Sequence, residues 1–363
     1  MRILLAHDYL TQFGGAERVT LAILDGMPEA RLVTSAYNQR DTFPGFLDHD
    51  IEVLKFAGQR LVRADVRLGL PLLARAFSAY PVRDADVVVC SSSGWSHHIR
   101  AAVPKIVYCH NPPRWLYQSK DYLADQKIHV RAVHAVMQGG LRRRDVRAAG
   151  AATKYLANSH SVAVRLKAAY NIDAEVLHPP VHLDASGPMA PIPEIKPGYF
   201  LVVARPRGYK HTQVVIDAAE SIGERLVVVG AEVRTHGPGV ESLGRVSDAT
   251  LRWLYRNAVA TVGASYEDFG LTPLESNLFG TPVIALRAGG YLETVVEGKT
   301  GLFFGSPSKD EISLAMRQVR SMQFSLQVLR EHADSFSSGD FVSRLRAIAQ
   351  EFANTAHVPR TKL

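Results

Sequence analysis

The run Tyr199-Phe200-Leu201-Val202-Val203-Ala204 decides how this chain is divided. It is apolar, rich in aromatic and β-branched residues and of strand length. It follows the stretch 178–198, which carries Pro179, Pro180, Pro188, Pro191, Pro193 and Pro197. A segment so rich in proline forms neither a helix interior nor a central strand, because each proline lacks an amide donor. Outward from this junction, short apolar runs alternate with amphipathic stretches in both directions. On the amino-terminal side the predicted strands are 2–7, 31–35, 86–91, 105–109 and 153–158. On the carboxyl side they are 199–204, 225–230, 258–263, 282–286 and 301–304. That alternation is the pattern of parallel sheets covered by helices. The expected fold class is therefore α/β, with two facing doubly wound domains and a cleft between them. The expected divisions are a first domain over 1–178, a proline-rich linker over 179–198, a second domain over 199–339, and a C-terminal helix and tail over 340–363.

Composition agrees with a globular protein. A chain of 363 residues exceeds what one ordinary core accommodates, and 47% apolar with 21% charged residues excludes disorder. A net charge of +7 favours anionic partners such as nucleotide phosphates or acidic lipids. Cys90 and Cys109 each follow a β-branched apolar run and form no C-x-x-C pair, so reduced thiols are expected rather than a zinc or redox site. No apolar run approaches the roughly 18–20 residues that span a bilayer. The apolar opening is cut off by His7-Asp8, too short for a signal peptide, and a cytoplasmic location is expected. Phe341, Leu345, Ile348, Ala349 and Phe352 fall at helical spacing, which predicts a helix over 340–354 that crosses back over the domain boundary; 355–363 reads as a frayed tail.

Open α/β sheets bind ligands outside the carboxyl ends of their strands, and the candidate residues fall there. Gly14-Gly15 lies just past the first strand and ahead of a helical stretch, where backbone N–H groups meet an anion; a plain turn is the competing reading. The stretch Glu267-Asp268-Phe269-Gly270-Leu271-Thr272-Pro273-Leu274-Glu275 follows another strand. Thr272 and Glu275 have the spacing of a capping box with Pro273 at the first helical position, so a helix is expected to start there with its positive dipole end toward a diphosphate. Glu275 as a mere cap is the alternative. Arg205 and Lys210, directly after strand 199–204, suit a diphosphate clamp that neutralises charge on a leaving group. His110 stands at a strand end in Tyr108-Cys109-His110-Asn111-Pro112-Pro113-Arg114, a loop stiffened by its prolines. His7 and Asp8 occupy a similar place without an evident role.

The two glutamates at 267 and 275, seven residues between them, resemble the signature of family 4 retaining glycosyltransferases of the GT-B fold. So do Gly-Gly-Ala-Glu-Arg at 14–18, Ala-Asn-Ser at 157–159, His-Pro-Pro-Val at 178–181, Leu-Gly-Arg-Val-Ser-Asp at 243–248, Gly-Thr-Pro-Val-Ile-Ala at 280–285 and Gly-Gly-Tyr-Leu-Glu-Thr-Val at 289–295. The resemblance implies that Glu275 accepts hydrogen bonds from the nucleotide ribose and that Glu267 contacts a hydroxyl of the donor sugar. It implies that the backbone of Phe269, Gly270, Leu271 and Thr272 holds sugar and phosphate, that Arg205 and Lys210 bind the diphosphate, and that Gly14-Gly15 meets it from the first domain. His110 matches a histidine beside the transferred sugar.

The reaction so implied develops negative charge on the departing diphosphate and an oxocarbenium-like sugar. Arg205, Lys210 and a helix N-terminus answer the first without metal, and the sequence has no Asp-x-Asp pair suited to holding one; no cofactor is expected. The resemblance implies front-face transfer with retention. The Tyr-Cys-His-Asn-Pro-Pro-Arg element looks like a form found in bacterial mannosyltransferases of surface polysaccharide assembly, which points to GDP-mannose as donor, with a UDP-hexose second. The acceptor is expected to be a glycan or a lipid-linked glycan. Arg60, Arg63, Arg67 and Arg75, interleaved with leucine and valine, form a basic amphipathic stretch that suits the anionic inner face of the cell membrane, with Arg142-Arg143-Arg144 and Arg147 as a second basic run; ordinary solvated helix faces are the alternative. An epimerase on the same fold is the rival activity. Nucleic-acid binding fits poorly, since the arginines lack interleaved exposed aromatics.

Overall fold

The computed structural model describes residues 1–56, 70–118, 128–181, 183–204, 211–230 and 237–356. Arg60, Arg63, Arg67, Arg205 and Lys210 lie outside them. The chain divides into two compact units, Met1–Pro180 with Ser338–Leu363, and Val181–Ser337.

Among the described residues the first unit holds β1 (Ile3–His7), β2 (Arg31–Thr34), β3 (Ile51–Val53), β4 (Val87–Ser92), β5 (Lys105–Cys109), β6 (Lys154–Ala157) and β7 (Glu175–Val176). They pair in parallel in the order β3-β2-β1-β4-β5-β6-β7. Successive residues of a strand point to opposite faces, and here both faces are covered. Ile3, Leu5, Val87, Val89, Ile106 and Tyr108 enter one core. Their neighbours Leu4, Ala6, Val88, Cys90, Val107 and Cys109 enter the other. The strands therefore read in the sequence as continuous apolar runs rather than as apolar–polar alternation.

The second unit repeats the scheme with β8 (Tyr199–Val203), β9 (Leu226–Val229), β10 (Val240–Ser242), β11 (Ala258–Gly263), β12 (Val283–Leu286) and β13 (Gly301–Phe304). The order is β10-β9-β8-β11-β12-β13, again all parallel. Phe200 and Val202 face one core, Tyr199 and Leu201 the other. Every strand read from the sequence is present within a residue or two. The three additional strands, β3, β7 and β10, are sheet edges of two or three residues, too short to leave a periodic signal.

The C-terminal helix Ser338–Ala356 belongs to the first unit. Phe341, Leu345, Ile348 and Ala349 are buried with Val19, Ile23 and Leu24 of the helix Gly15–Gly26, whereas Phe352 is only partly buried. Arg346 reaches Glu29 at 2.5 Å and Arg344 reaches Glu175 at 2.8 Å, both exposed pairs that add little beside the buried apolar surface. Residues 357–363 lie outside the description. The expected linker is divided between the units. From Val181 on it goes with the second, where Leu183 and Ile195 are buried against Tyr199 and Leu201. Its prolines exclude regular structure, but its apolar residues still find a core.

Candidate functional site

In both sheets the strand order reverses once, between β1 and β4 in the first unit and between β8 and β11 in the second. The carboxyl ends of strands at such a switch point diverge and leave room for a ligand.

In the second unit β11 ends at Gly263 and the chain continues through Ser265 and Glu267, whose Oε1 accepts a hydrogen bond of 2.5 Å from Ser265 Oγ. The following helix spans Leu271–Leu278. This corrects the capping-box expectation. Gly270, in the left-handed region at φ 88°, is the N-cap and makes no side-chain cap hydrogen bond, so Leu271, Thr272 and Pro273 are the first three helical residues. Pro273 is tolerated because amides of the first turn have no intrahelical partner in any case. Glu275 does not cap the helix. It is buried, and its Oε2 accepts a 2.9 Å hydrogen bond from Tyr255 on the helix Asp248–Asn257. Tyr255 itself is fully buried and stacks on Phe279 with ring centroids 5.9 Å apart.

The loop is braced from below. Gly290 N donates to Glu267 O at 2.9 Å. A Cβ on Gly290 would stand 2.2 Å from the Phe269 backbone, and one on Gly289, at φ 59°, would stand 2.4 Å from Glu267 O. Tyr291 is buried against Gly263 and Gly270, where an added Cβ would lie within 2.6 and 2.8 Å of its ring or hydroxyl. The Gly-Gly-Tyr element therefore sets the height of the Glu267 loop by close backbone approach. The helix is tied to its strand by Thr261 Oγ1 and Ser276 Oγ at 2.7 Å, both fully buried.

Single residues of three other quoted motifs have a structural part. Ser159 caps the helix His160–Tyr170, accepting from Val162 N at 3.1 Å. Ser247 does the same for Asp248–Asn257 through Thr250 N, and Thr281 Oγ1 donates to Tyr255 O at 2.6 Å.

In the first unit Gly14 is the N-cap of Gly15–Gly26, again without a side-chain cap. Gly14 is buried and Gly15 exposed. His110 follows β5 directly; its backbone N–H donates to Ser92 O at 2.8 Å and its Nε2 lies 2.8 Å from Ser91 Oγ. Ser91 Oγ is also 2.8 Å from Thr20 Oγ1 and 3.1 Å from His7 Nδ1. His7, which offered no role in the sequence, thus belongs to the same buried group as His110. Asp8 has a supporting part: Oδ2 accepts from Ser93 N at 2.6 Å, and Oδ1 from Trp95 N and Ser96 N at 2.8 and 2.7 Å, fixing the turn that follows β4.

Beneath that turn lies a second polar cluster that sequence reading missed. Asp145, buried, accepts from His97 and His98 Nε2 at 3.0 and 3.1 Å through Oδ1, and from Tyr117 and Tyr170 hydroxyls at 2.9 and 2.7 Å through Oδ2. His97, His98 and Asp145 have the chemistry of a metal-ligand set. Here, however, the four acceptor positions of the carboxylate are already occupied by donors. Burial pushes the Asp145 carboxyl up, but the charge and hydrogen bonds of His97 and His98 outweigh it and hold it below the usual carboxylate range. Nearby, burial lowers the Lys105 ammonium, whose Nζ donates to the carbonyls of His97, Ile99 and Ala148. Burial likewise pushes the Cys90 thiol up to about 12, so it is an inert core residue.

Residues 192–336 match the family model described as glycosyl transferases group 1. The alpha-1,3/1,6-mannosyltransferase ALG2 of Dictyostelium discoideum is 32% identical over 112 residues, 29% of this chain and 26% of that protein. The D-inositol 3-phosphate glycosyltransferase of Arthrobacter sp. (strain FB24) is 27% identical over 206 residues, 44% of this chain and 46% of that protein. The chain thus spans between about a quarter and a half of the length of these curated relatives. Among solved structures, Anabaena HepE in complex with UDP-glucose superposes with a TM-score of 0.67 at 16% identity, covering 97% of this chain and all of that one. Sucrose-phosphate synthase from Thermosynechococcus elongatus gives 0.73 at 16% identity, with 98% and 100% covered. The fold is that of the GT-B glycosyltransferase structures, two parallel-sheet Rossmann-like α/β domains.

Proposed function

We propose that this chain transfers a hexose from a nucleotide diphosphate donor, with retention at the anomeric carbon and without a metal ion. The observation that carries the reading is the braced loop after β11. Glu267 is held at its crest by Ser265 and the Gly289-Gly290 turn, and Glu275 is held in the following helix by Tyr255. A buried carboxylate that accepts from a tyrosine hydroxyl suits a ribose hydroxyl as well, and the glycine-capped start of Leu271–Leu278 suits a phosphate. Arg205 and Lys210, next in sequence after β8 at the switch point, are assigned to the diphosphate, and His110 to the sugar. Charge appearing on the leaving group is then met by these cations and by backbone amides.

The donor of choice is GDP-mannose. The loop around His110 and the likeness to a named mannosyltransferase support it. The second reading is a UDP-hexose, favoured by the fold's likeness to a protein solved with UDP-glucose. Thermal unfolding with GDP, UDP and their sugar conjugates separates the two, because a ligand specific for the folded state adds about 2.7 kcal/mol at a hundred times its Kd. Glu275→Ala is expected to weaken that nucleotide about 10–100-fold and Tyr255→Phe about tenfold, as loss of a hydrogen bond to a charged group implies. Transfer unaffected by a chelator, with the product keeping the donor's anomeric configuration, is expected. No stabilisation by any nucleotide would reject the reading.

The acceptor is assigned to glycans or lipid-linked glycans reached at an anionic membrane. No helix among the described residues is long and apolar enough to cross a membrane. Arg75, Arg143, Arg144 and Arg147 are exposed, whereas Arg142, also exposed, is engaged with Leu116 O and the ring of Tyr117. Sedimentation with vesicles rich in phosphatidylglycerol is expected at low salt and lost at high salt. Absence of the protein from the low-salt pellet would reject the membrane assignment.

A further inference from the structure

The Gly-Thr-Pro element at 280–282 lies beyond the helix that carries Glu275, and its threonine reaches back to the tyrosine that holds Glu275. Gly280, in the left-handed region at φ 82°, turns the chain at the end of the helix Leu271–Leu278. Thr281 is then fixed to that helix through its backbone. Its N–H donates to Ser276 O at 3.0 Å, and its carbonyl accepts from Ser276 Oγ at 2.9 Å and from Asn277 Nδ2 at 3.1 Å. Ser276 thereby commits its hydroxyl hydrogen, so Thr261 Oγ1 of β11 donates to it across 2.7 Å and anchors the turn to the sheet. Thr261, Ser276, Asn277 and Thr281 are all buried. From this anchor the Thr281 hydroxyl donates to Tyr255 O at 2.6 Å, in the last turn of the helix Asp248–Asn257. Carbonyls of a last turn lack an intrahelical amide, and this one takes the threonine together with Ala258 N–H. Tyr255 is consequently gripped at three places by one short stretch of chain: Glu275 accepts from its hydroxyl at 2.9 Å, Phe279 stacks on its ring with the planes 2° apart, and Thr281 holds its carbonyl. A phenol held at hydroxyl and ring alone can still slide along the stacking plane. The carbonyl contact removes that slide.

We propose that Thr281 is a positioning residue, acting through Tyr255, that sets the place of the Glu275 carboxylate and with it the preference of the site for a ribose over a deoxyribose. The ring of hydrogen bonds stands on the geometry of this unit alone; the ribose rests on the functional reading given above. A carboxylate held in one place makes a full charge-assisted bond to a hydroxyl that meets it and gives nothing to a sugar without that hydroxyl. A carboxylate that drifts loses the first and leaves the second unchanged.

The test is calorimetric titration of the full chain with GDP and UDP, each beside its 2′-deoxy and 3′-deoxy forms. The parent is expected to bind its nucleotide about 10–100-fold more tightly than at least one deoxy form, the worth of a hydrogen bond to a charged group. Thr281→Val keeps the shape and removes the hydroxyl. It is expected to cut that ratio about three- to tenfold, weakening the ribonucleotide and sparing the deoxy form, whereas Thr281→Ser keeps the ratio within about twofold. Thr281→Ala carries the same expectation as the valine and stands in where the valine fails to fold. Tyr255→Phe cuts the ratio about tenfold, and adding Thr281→Val to it cuts no further, because both substitutions act on one contact. A merely structural threonine weakens both nucleotides alike, so an unchanged ratio in Thr281→Val overturns the positioning role. So does a loss in the double variant equal to the product of the two single losses. A parent that binds ribo and deoxy forms equally overturns the assignment of Glu275 to the ribose, and the positioning role with it; a parent that binds no nucleotide overturns the functional reading as a whole.

Discussion

Gly290→Ala is expected to lower kcat/KM for transfer about 100-fold while costing the fold only about 1–3 kcal/mol. The added methyl would stand 2.2 Å from Phe269 Cα and from its carbonyl oxygen. Both neighbours are backbone and cannot rotate away, so the Glu267 loop must rise by about 1 Å to reach ordinary van der Waals separation. Overpacking of that size carries the stated stability cost, and a displacement of about 1 Å at a positioned group costs about 10²-fold in rate. Conformation is not the obstacle, since Gly290 has φ −67° and ψ −16°, which alanine adopts freely. Steady-state kinetics against the donor, with urea unfolding as the companion measurement, check the result. A variant within threefold of the parent would show that the height of the loop does not matter to the reaction.

Asp145→Ala is expected to destabilise the first unit by about 3–5 kcal/mol, the cost of breaking a buried charged network from one side. It strands four donors at once, from His97, His98, Tyr117 and Tyr170. Trp95 and Trp115 stack 6.1 Å apart in the same core, so tryptophan emission in a Trp253→Phe background reports unfolding of this unit. A loss below about 1 kcal/mol would contradict the network's importance. The cluster also sets a pH dependence. Burial, and after it the charge of His97, lowers the pKa of His98. A histidine whose folded value is depressed binds its proton more readily when unfolded, so stability is full above the unfolded value of about 6.5 and declines as pH falls below it. Asp145 is depressed too, and its contribution is present above the unfolded carboxylate value of about 3.9 and lost below it. Denaturation at pH 7.5 and at pH 5 is expected to show the histidine effect alone, and His98→Gln to reduce it.

What the sequence revealed, and what it did not, follows the range of the interactions concerned. The strand at 258–263 and the helix after it were legible because apolar runs, glycine and proline act locally. Thr272 and Glu275 misled for the same reason: their spacing satisfies a local rule, but Gly270 starts the helix first and Tyr255, twenty residues earlier, claims the glutamate. Tyr255, Thr20 and Asp145 carry no local mark. Thr20 and Asp145 look like ordinary helix residues until β4 and the turn after it arrive from a distant part of the chain. Gly289-Gly290 was readable as a motif, but its reason, a backbone contact with Phe269, required the fold.

The helix Ser338–Ala356 has a consequence for biosynthesis. The second unit, Val181–Ser337, is contiguous and complete once Ser337 has cleared the ribosome. The first unit, although translated earlier, must wait for Phe341, Leu345 and Ile348 before Val19, Ile23 and Leu24 are covered. Maturation therefore runs against the direction of translation: the earliest residues stay exposed to chaperones and proteases longest, and a premature stop near codon 337 leaves a finished carboxyl-terminal unit joined to an unfinished amino-terminal one.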